Sequence, residues 1–142
     1  MKIKTLVAVL LLSGGVTSTF AQSDCNANSS ISHEAVRAKN FKDAYAPCME
    51  VLKDCPTLRY YTYTDAQKIL VGLMSQIKDR NSAEYKKLFD ELMAVHDQKM
   101  KYIPEFATKM KGVPSVASAL GTKAVDYLQY SPAPDLNQAY AW

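Results

Sequence analysis

The sequence predicts an all-α protein made of antiparallel helix pairs, and three observations support this fold class. Apolar residues over 40–56 recur at alternating intervals of three and four, the pattern of a helix with one buried face. Similar stripes follow over 62–79, 83–102 and 116–128, separated by short polar or proline-containing segments. The first stripe also reappears 44 positions downstream. The matching pairs are Phe41 with Tyr85, Ala44 with Leu88, Tyr45 with Phe89, Cys48 with Leu92, Met49 with Met93 and Val51 with Val95.

The segment 40–56 is the best-defined helix of the chain. Asn40 supplies a polar start and Pro56 a stop, whereas Pro47 inside the segment predicts a kink or a later start. A helix of this length cannot bury its stripe alone. We expect its partner to be the preceding helix, over 29–39, joined to it by a tight turn at Lys39 and Asn40. These two helices form the predicted first pair, 29–55.

This helix resembles the second helix of a tetratricopeptide repeat. The residues that carry the resemblance are Phe41, Ala44, Cys48, Val51 and Pro56. The first helix departs from the family, which prefers Trp, Leu, a small residue and Tyr at the positions of Asn28, Ile31, Ser32 and Ala35. The resemblance implies tetratricopeptide-like antiparallel helix pairs stacked as a short right-handed solenoid, in the style of exported envelope proteins of Gram-negative bacteria.

The first 21 residues are predicted to be a secretory signal peptide. A basic start is followed by an apolar run over 5–12 and by small residues at Thr19 and Ala21, which places cleavage between Ala21 and Gln22. A membrane anchor is the rival interpretation, but the apolar run is too short to cross a bilayer. A lipoprotein would use Cys25, but Asp24 occupies a position that needs a small residue. We therefore expect an exported protein that is periplasmic, associated with the outer membrane or secreted.

Residues 22–142 are expected to form one helical-repeat domain with little net charge. The full chain carries a net charge of +3, and removal of Lys2 and Lys4 with the signal peptide leaves +1. A near-neutral exported domain has no electrostatic reason to bind nucleic acid. No later segment is long and apolar enough to span a membrane, so we expect no integral membrane protein, with peripheral envelope association left open.

Export to an oxidising compartment predicts a disulfide bond. In an antiparallel pair the start of the first helix lies beside the end of the second, which brings Cys25 to Cys55. Cys48 and Cys55 are too far apart on one helix to bond, so Cys48 is expected to stay a buried free thiol. The alternative is that Cys25 remains unpaired or bonds to another chain.

The second predicted pair covers residues 62–103. The sequence Thr62-Tyr63-Thr64-Asp65 matches a capping box at the start of the third helix. Gly72 inside that helix indicates a close contact with another helix. The fourth helix is expected to start at residue 83, after a polar turn over 79–82, and to end before Pro104.

A third unit begins at residue 115. Ser115 starts the fifth helix, a proline-containing segment over 130–134 stops it, and Asp135 starts a sixth. The unit is apparently incomplete at residue 142, which predicts a fragment of a longer repeat protein. The alternative is that Trp142 packs back over the fifth helix.

No catalytic or metal-binding motif is present in the sequence. His33 and Glu34 begin a zinc-protease pattern, but Arg37 stands where the next ligand is needed. His96 and Asp97 are neighbours on a helix and diverge, so His96 is expected at the edge of the core. Most methionines fit helix stripes as core residues, and the lysines over 99–123 are expected to form a solvated face. We expect no enzymatic activity, no metal and no cofactor.

The resemblance implies a concave surface lined by the first helix of each pair. It places a partner-binding site at His33, Val36, Arg37, Thr64, Lys68 and Val71. Arg37 and Lys68 would hold a carboxylate of a protein or peptide partner. The predicted function is a non-enzymatic binding module of an envelope assembly. The alternatives are the N-terminal part of a larger envelope enzyme or transport-associated protein, and a metal- or haem-handling protein.

Overall fold

The computed structural model describes the backbone of residues 17–142 and the side chains of residues 24–142. Within this range the protein is all-helical, with no β-strand. The helices are α1 (Thr17–Arg37), α2 (Phe41–Asp54), α3 (Tyr61–Met74), α4 (Ala83–Lys109), α5 (Val116–Tyr130) and α6 (Leu136–Tyr140). Residues 1–16 of the predicted signal peptide lie outside the described residues, and α1 runs through the predicted cleavage site.

Helices α1 and α2 form the predicted hairpin, although α1 begins at Thr17 rather than near residue 29 and ends at Arg37 rather than at Lys39. Lys39 adopts a left-handed conformation, with a φ of 58°. The amide of Asn40 donates to the carbonyl of Ala35 at 2.8 Å, and the amide of Lys39 donates to the carbonyl of Val36 at 2.9 Å. These two hydrogen bonds make a Schellman motif, which satisfies the last carbonyls of α1 and reverses the chain within a few residues.

The prediction for α2 is confirmed at both ends. The helix begins at Phe41, directly after Asn40, and continues through Pro47 to Asp54. Its buried residues are Ala44, Cys48, Val51 and Leu52, which follow the predicted helical spacing. The late start that Pro47 suggested does not occur.

Helix α3 is shorter than predicted and has no capping box. Its first residue is Tyr61, the preceding Tyr60 makes no side-chain cap bond, and the helix ends at Met74 rather than Asp79. Thr62 and Asp65, the two ends of the expected box, are both buried inside the helix. The capping prediction was wrong because the Asp65 carboxylate binds His33 of α1 instead.

Helix α4 is longer than predicted. It begins at Ala83, where the Ser82 hydroxyl accepts a hydrogen bond from the amide of Tyr85 at 3.2 Å, and it continues through Pro104 to Lys109. Ile103 and Phe106 are both buried. The predicted stop at Pro104 was wrong because the exposed side of the helix loses one backbone bond while the buried side gains these two core residues.

Helix α5 starts as predicted, with the Ser115 hydroxyl accepting from the amide of Ser118 at 3.1 Å. It covers the core only loosely, since Val116 of its predicted stripe is exposed and its buried residues are Ala119 and Lys123. The short α6 follows, and the Trp142 ring lies 5.1 Å from the Tyr127 ring in an edge-on arrangement. The C-terminal residues therefore pack back over α5.

The helices pack in chain order, α1 on α2, α2 on α3, α3 on α4 and α4 on α5, with α1 also against α3. One hydrophobic core runs through α1 to α4, and its fully buried members include Tyr63, Ile69, Leu70 and Leu92. The predicted disulfide between Cys25 and Cys55 is present, with Cα atoms 6.3 Å apart. In residues 17–142, no helix has the length and apolarity that a membrane span requires.

Candidate binding face

The predicted partner-binding residues fall on α1 and α3, which lie side by side. Thr64, Lys68 and Val71 follow one another at intervals of four and three, so they share one side of α3. His33 and Arg37 share one side of α1 for the same reason. We call these five residues the binding face.

Val36, the sixth predicted residue, does not belong to this face. Its side chain is only 7% exposed and is part of the hydrophobic core. The prediction for Val36 was wrong because its position on α1 points toward the core, whereas His33, one turn earlier, and Arg37, the next residue, lie on the outer side.

His33 is the most firmly held residue of the binding face. Its Nδ1 lies 2.6 Å from the Oδ2 atom of Asp65, and its ring centre lies 4.5 Å from that of Tyr61, with the two ring planes tilted by 41°. The Asp65 side chain is 3% exposed and that of His33 is 37% exposed. Because an ionised carboxylate only accepts hydrogen bonds, Nδ1 of His33 is the donor. Nε2 of His33 has no partner in residues 24–142, so it is available to a ligand.

A network of polar groups holds the Tyr61 side chain in place. Arg59 donates to the Tyr61 hydroxyl and places its guanidinium 5.7 Å from the centre of that ring. The hydroxyls of Tyr61 and Ser29 are 3.3 Å apart, and a second Arg59 nitrogen donates to the Oδ1 atom of Asn26 at 3.3 Å. Ser29 lies one helical turn before His33 but is fully buried, so its hydroxyl is not exposed to a substrate. The network holds in place the Tyr61 ring, which His33 contacts.

The basic residues of the binding face are exposed. Arg37 forms an ion pair with Glu34 one turn earlier, at 3.2 Å, and both side chains are open to solvent. Lys68 is exposed on α3. Thr64 turns its hydroxyl to the carbonyl of Tyr61 at 2.8 Å, so its methyl group is what it presents outward. The face therefore offers two cations and an imidazole nitrogen beside small apolar groups.

A second histidine–aspartate pair lies on the other side of α3. His96 of α4 is completely buried, its Nε2 is 2.7 Å from Oδ2 of Asp126 on α5, and its Nδ1 is 3.0 Å from the Gln67 side-chain nitrogen. Since the Gln67 amide nitrogen only donates, Nδ1 accepts and Nε2 carries the proton. His96 of α4 thus makes hydrogen bonds to both α3 and α5. The prediction that it lies at the edge of the core was wrong, because it is completely buried.

Two lysines that were expected on a solvated face are buried. Lys99 is 5% exposed, and burial lowers its pKa, although the Asp126 carboxylate opposes this shift. Lys123 is 8% exposed, donates to the Oδ1 atom of Asp97 at 2.6 Å and lies 4.2 Å from the centre of the Trp142 ring. The signal that identifies His96 and Lys99 is their spacing, because Leu92, His96, Lys99, Ile103 and Phe106 continue one helical stripe.

Residues 17–142 contain no cluster of three or more histidine, cysteine, aspartate or glutamate side chains that fits a metal ion. Cys48, the predicted free thiol, is fully buried, and burial raises its pKa to about 12. The Cys48 thiol is therefore neither exposed nor readily ionised.

Comparison with known proteins returned no match: no family model, no curated protein and no solved structure is similar to this chain.

Proposed function

We propose that this chain is an exported, non-enzymatic tetratricopeptide-like module that binds an acidic segment of a protein or peptide partner along the binding face. The stacked helix pairs form a short right-handed solenoid in this proposal, and the module serves a cell-envelope assembly. The partner lies across α1 and α3, the first helices of the first two pairs.

The observation that carries the proposal is the pairing of half-exposed His33 with buried Asp65. A side chain that is already held by a hydrogen bond to a buried partner and by ring contact with Tyr61 loses little freedom when a ligand binds. Rigid support of this kind is typical of residues that position a partner. His33 lies on the same side of α1 as Arg37, one turn away.

Charge favours an acidic partner. Arg37 and Lys68 stand on neighbouring helices, and each lies about one turn beyond its own helix's member of the His33 and Asp65 pair, whose carboxylate is buried. An incoming carboxylate would meet two cations and one hydrogen-bonding nitrogen. The exposed Glu34 already pairs with Arg37, so a partner carboxylate would compete with Glu34 for that guanidinium.

The disulfide supports export. A bond between Cys25 and Cys55 persists in oxidising compartments and is rare in reducing ones. It joins the N-terminal part of α1 to the end of α2 and so stabilises the hairpin that carries His33 and Arg37.

Affinity capture from an extract of the producing cell's envelope tests this function. The purified protein is expected to retain a partner that is released by raised salt. Lys68→Glu and Arg37→Glu each reverse one charge of the face, and each is expected to weaken capture about tenfold. His33→Ala is expected to weaken it as well, because the fixed nitrogen is lost.

Lys86→Glu is the matched control, since Lys86 is an exposed lysine on α4, away from the binding face. It is expected to capture as much as the parent protein. Equal capture by the parent, Lys68→Glu and Arg37→Glu would show that the partner binds elsewhere.

A further inference from the structure

The side of the molecule formed by α2 and α4 carries a groove that the binding face does not use. α2 packs on α1 and α3, and α4 packs on α3 and α5, so α2 and α4 face each other across a gap. Side chains bridge it: the Tyr45 hydroxyl donates to Glu91 at 2.7 Å, and the Gln98 amide donates to the backbone carbonyl of Leu52 at 2.7 Å.

Two clefts lie along this gap, with volumes of about 510 and 250 Å³, and Tyr45 lines both. We call them together the α2–α4 groove. The apolar residues of the larger cleft are Leu73, Ile77 and Leu88. Those of the smaller cleft are Met49, Leu52, Ala94 and Val95. Each cleft therefore offers an apolar patch, and in the larger cleft this patch stands beside the polar side chains of Lys42, Gln76, Glu84 and Lys87.

The lining repeats with helical spacing on both walls. On α2 the lining residues are Lys42, Tyr45, Met49, Leu52 and Lys53, and on α4 they are Glu84, Lys87, Leu88, Glu91, Ala94, Val95 and Gln98. Intervals of three and four on two neighbouring helices match the side chains of a third helix laid between them. An extended strand, whose side chains alternate every second residue, does not match this spacing.

The charged residues along the groove indicate which kind of helix would bind there. Lys42 and Lys53 are eleven residues apart, which is about three turns and about 16 Å along α2, so both stand on the same side. Both are exposed, and neither forms an ion pair in residues 24–142. The Glu91 carboxylate is already bound by Tyr45 and by Lys87 at 2.7 Å. The α2 wall thus presents one uncompensated cation at each end.

We infer that the α2–α4 groove binds an amphipathic helix of a partner protein that carries two carboxylates eleven positions apart. Its apolar stripe lies on Leu73, Ile77 and Leu88 at one end and on Met49 and Val95 at the other. Its carboxylates pair with Lys42 and Lys53. This surface lies on α2, on α4 and at the end of α3, and it includes none of the five residues of the binding face, so the inference does not depend on the proposed function of that face.

Binding of a synthetic helix tests the inference. The probe is an amphipathic peptide of about 18 residues, or about 27 Å as a helix, with a leucine stripe and two glutamates eleven positions apart. Its binding to the purified protein is measured by fluorescence anisotropy. Saturable binding is expected, and Lys42→Glu together with Lys53→Glu is expected to weaken it at least about tenfold. A peptide with lysines in place of the two glutamates is expected to bind the double variant better than it binds the parent.

Two controls separate this groove from other surfaces. Lys68→Glu changes the binding face alone and is expected to leave peptide affinity unchanged, so this test and that of the proposed function fail independently. Lys78→Glu and Lys101→Glu together reverse two exposed lysines outside the groove and are also expected to have no effect. Absence of saturable binding, or equal affinity of the acidic peptide for the parent and the Lys42→Glu, Lys53→Glu variant, would overturn the inference.

Discussion

The ring of Phe41 lies against the bare Cα of Gly72, so that a Cβ atom at residue 72 would overlap the ring. This contact joins the first turn of α2 to the last turns of α3. It explains why a glycine is present inside a helix that its own propensity weakens, because only glycine lets the two helices approach this closely. Gly72 inside α3 predicted a close contact with another helix, and Phe41 of α2 makes that contact.

Gly72→Ala is therefore expected to destabilise the protein by about 1–3 kcal/mol, the usual cost of overfilling a packed site. Urea unfolding followed by far-UV circular dichroism measures this change. Phe41→Leu is expected to recover part of the loss in the Gly72→Ala background, because the smaller side chain leaves room for the new methyl group.

Gly121→Ala is the matched control. Gly121 is exposed within α5, and a Cβ atom there meets nothing within 4 Å. Alanine is expected to stabilise the protein at this position by about 0.5–1 kcal/mol through helix propensity alone. If both glycine substitutions changed stability in the same direction, close packing would not explain Gly72.

Lys39→Gly is expected to stabilise the protein. Lys39 holds a φ of 58°, which costs a residue with a Cβ atom about 1 kcal/mol and glycine very little. The expected gain is about 1 kcal/mol in the free energy of unfolding, measured in urea. Lys39→Ala, which keeps the Cβ atom, separates this effect from loss of the charge and is expected to give no gain.

The His96 and Asp126 pair is expected to contribute more than other polar contacts. His96→Ala leaves a cavity and strips buried polar groups of their partner, which costs about 3 kcal/mol. Asp126→Ala is expected to cost about 1–2 kcal/mol, since Asp126 is partly exposed. If the hydrogen bond matters, the double variant loses less than the sum of the two single losses in a double-mutant cycle. Strictly additive losses would contradict the pairing.

Local patterns were sufficient to predict the hairpin and the disulfide. The apolar stripe from Phe41 to Leu52 defines one face, and a polar Lys39-Asn40 step separates it from the preceding helix. Once two helices are antiparallel, the position of Cys25 opposite Cys55 follows from their lengths alone. These features depend on residues close in the chain or on simple geometry, so sequence reasoning reaches them.

Contacts between distant residues decided what the sequence did not show. The stripe from Leu92 to Phe106 runs past Pro104, but the contact that holds α4 helical there is distant in the chain: the ring of Phe106 packs edge-on against the rings of Tyr60 and Tyr63 at 5.5 and 6.0 Å. The spacing of Asp65 matches a helix cap, but in the structure its carboxylate is bonded to His33, which is 32 residues earlier in the chain. The residues of the binding face were expected from the tetratricopeptide resemblance alone, and that resemblance did not indicate the contacts of His33 with Asp65 and Tyr61.

The disulfide is expected to provide much of the stability of the first helix pair. Cys25 and Cys55 are separated by 30 residues, and closing a loop of this size stabilises a chain by about 3–4 kcal/mol in the chain-entropy model. Addition of dithiothreitol is therefore expected to lower the urea midpoint of the parent protein. The Cys25→Ser variant, which has no bond to break, is expected to show no shift with dithiothreitol, and an unchanged parent midpoint would contradict the prediction.

Alkaline pH is expected to destabilise the protein, because the buried side chains of Cys48 and Tyr63 keep their protons in the folded state and lose them more readily in the unfolded chain. Burial, with a smaller contribution from the Asp65 carboxylate, raises the pKa of Cys48 from an ordinary value of about 9 to about 12, and burial also raises the pKa of Tyr63. The folded state holds these protons more tightly than the unfolded chain, so this contribution to stability is complete below about pH 9 and is lost as pH rises toward 12.

The free energy of unfolding, measured in urea at successive pH values, is expected to fall over this interval. Cys48→Ala removes one of the two groups. The free energy of unfolding of this variant is expected to fall less steeply between pH 9 and 11 than that of the parent protein. At pH 8 the Cys48 thiol of the folded parent is expected to resist a thiol reagent and to react only when urea unfolds the chain, because a thiolate is required for the reaction. Rapid labelling of the folded protein at pH 8 would show that Cys48 is neither buried nor protonated, and the alkaline loss of stability would then need another cause.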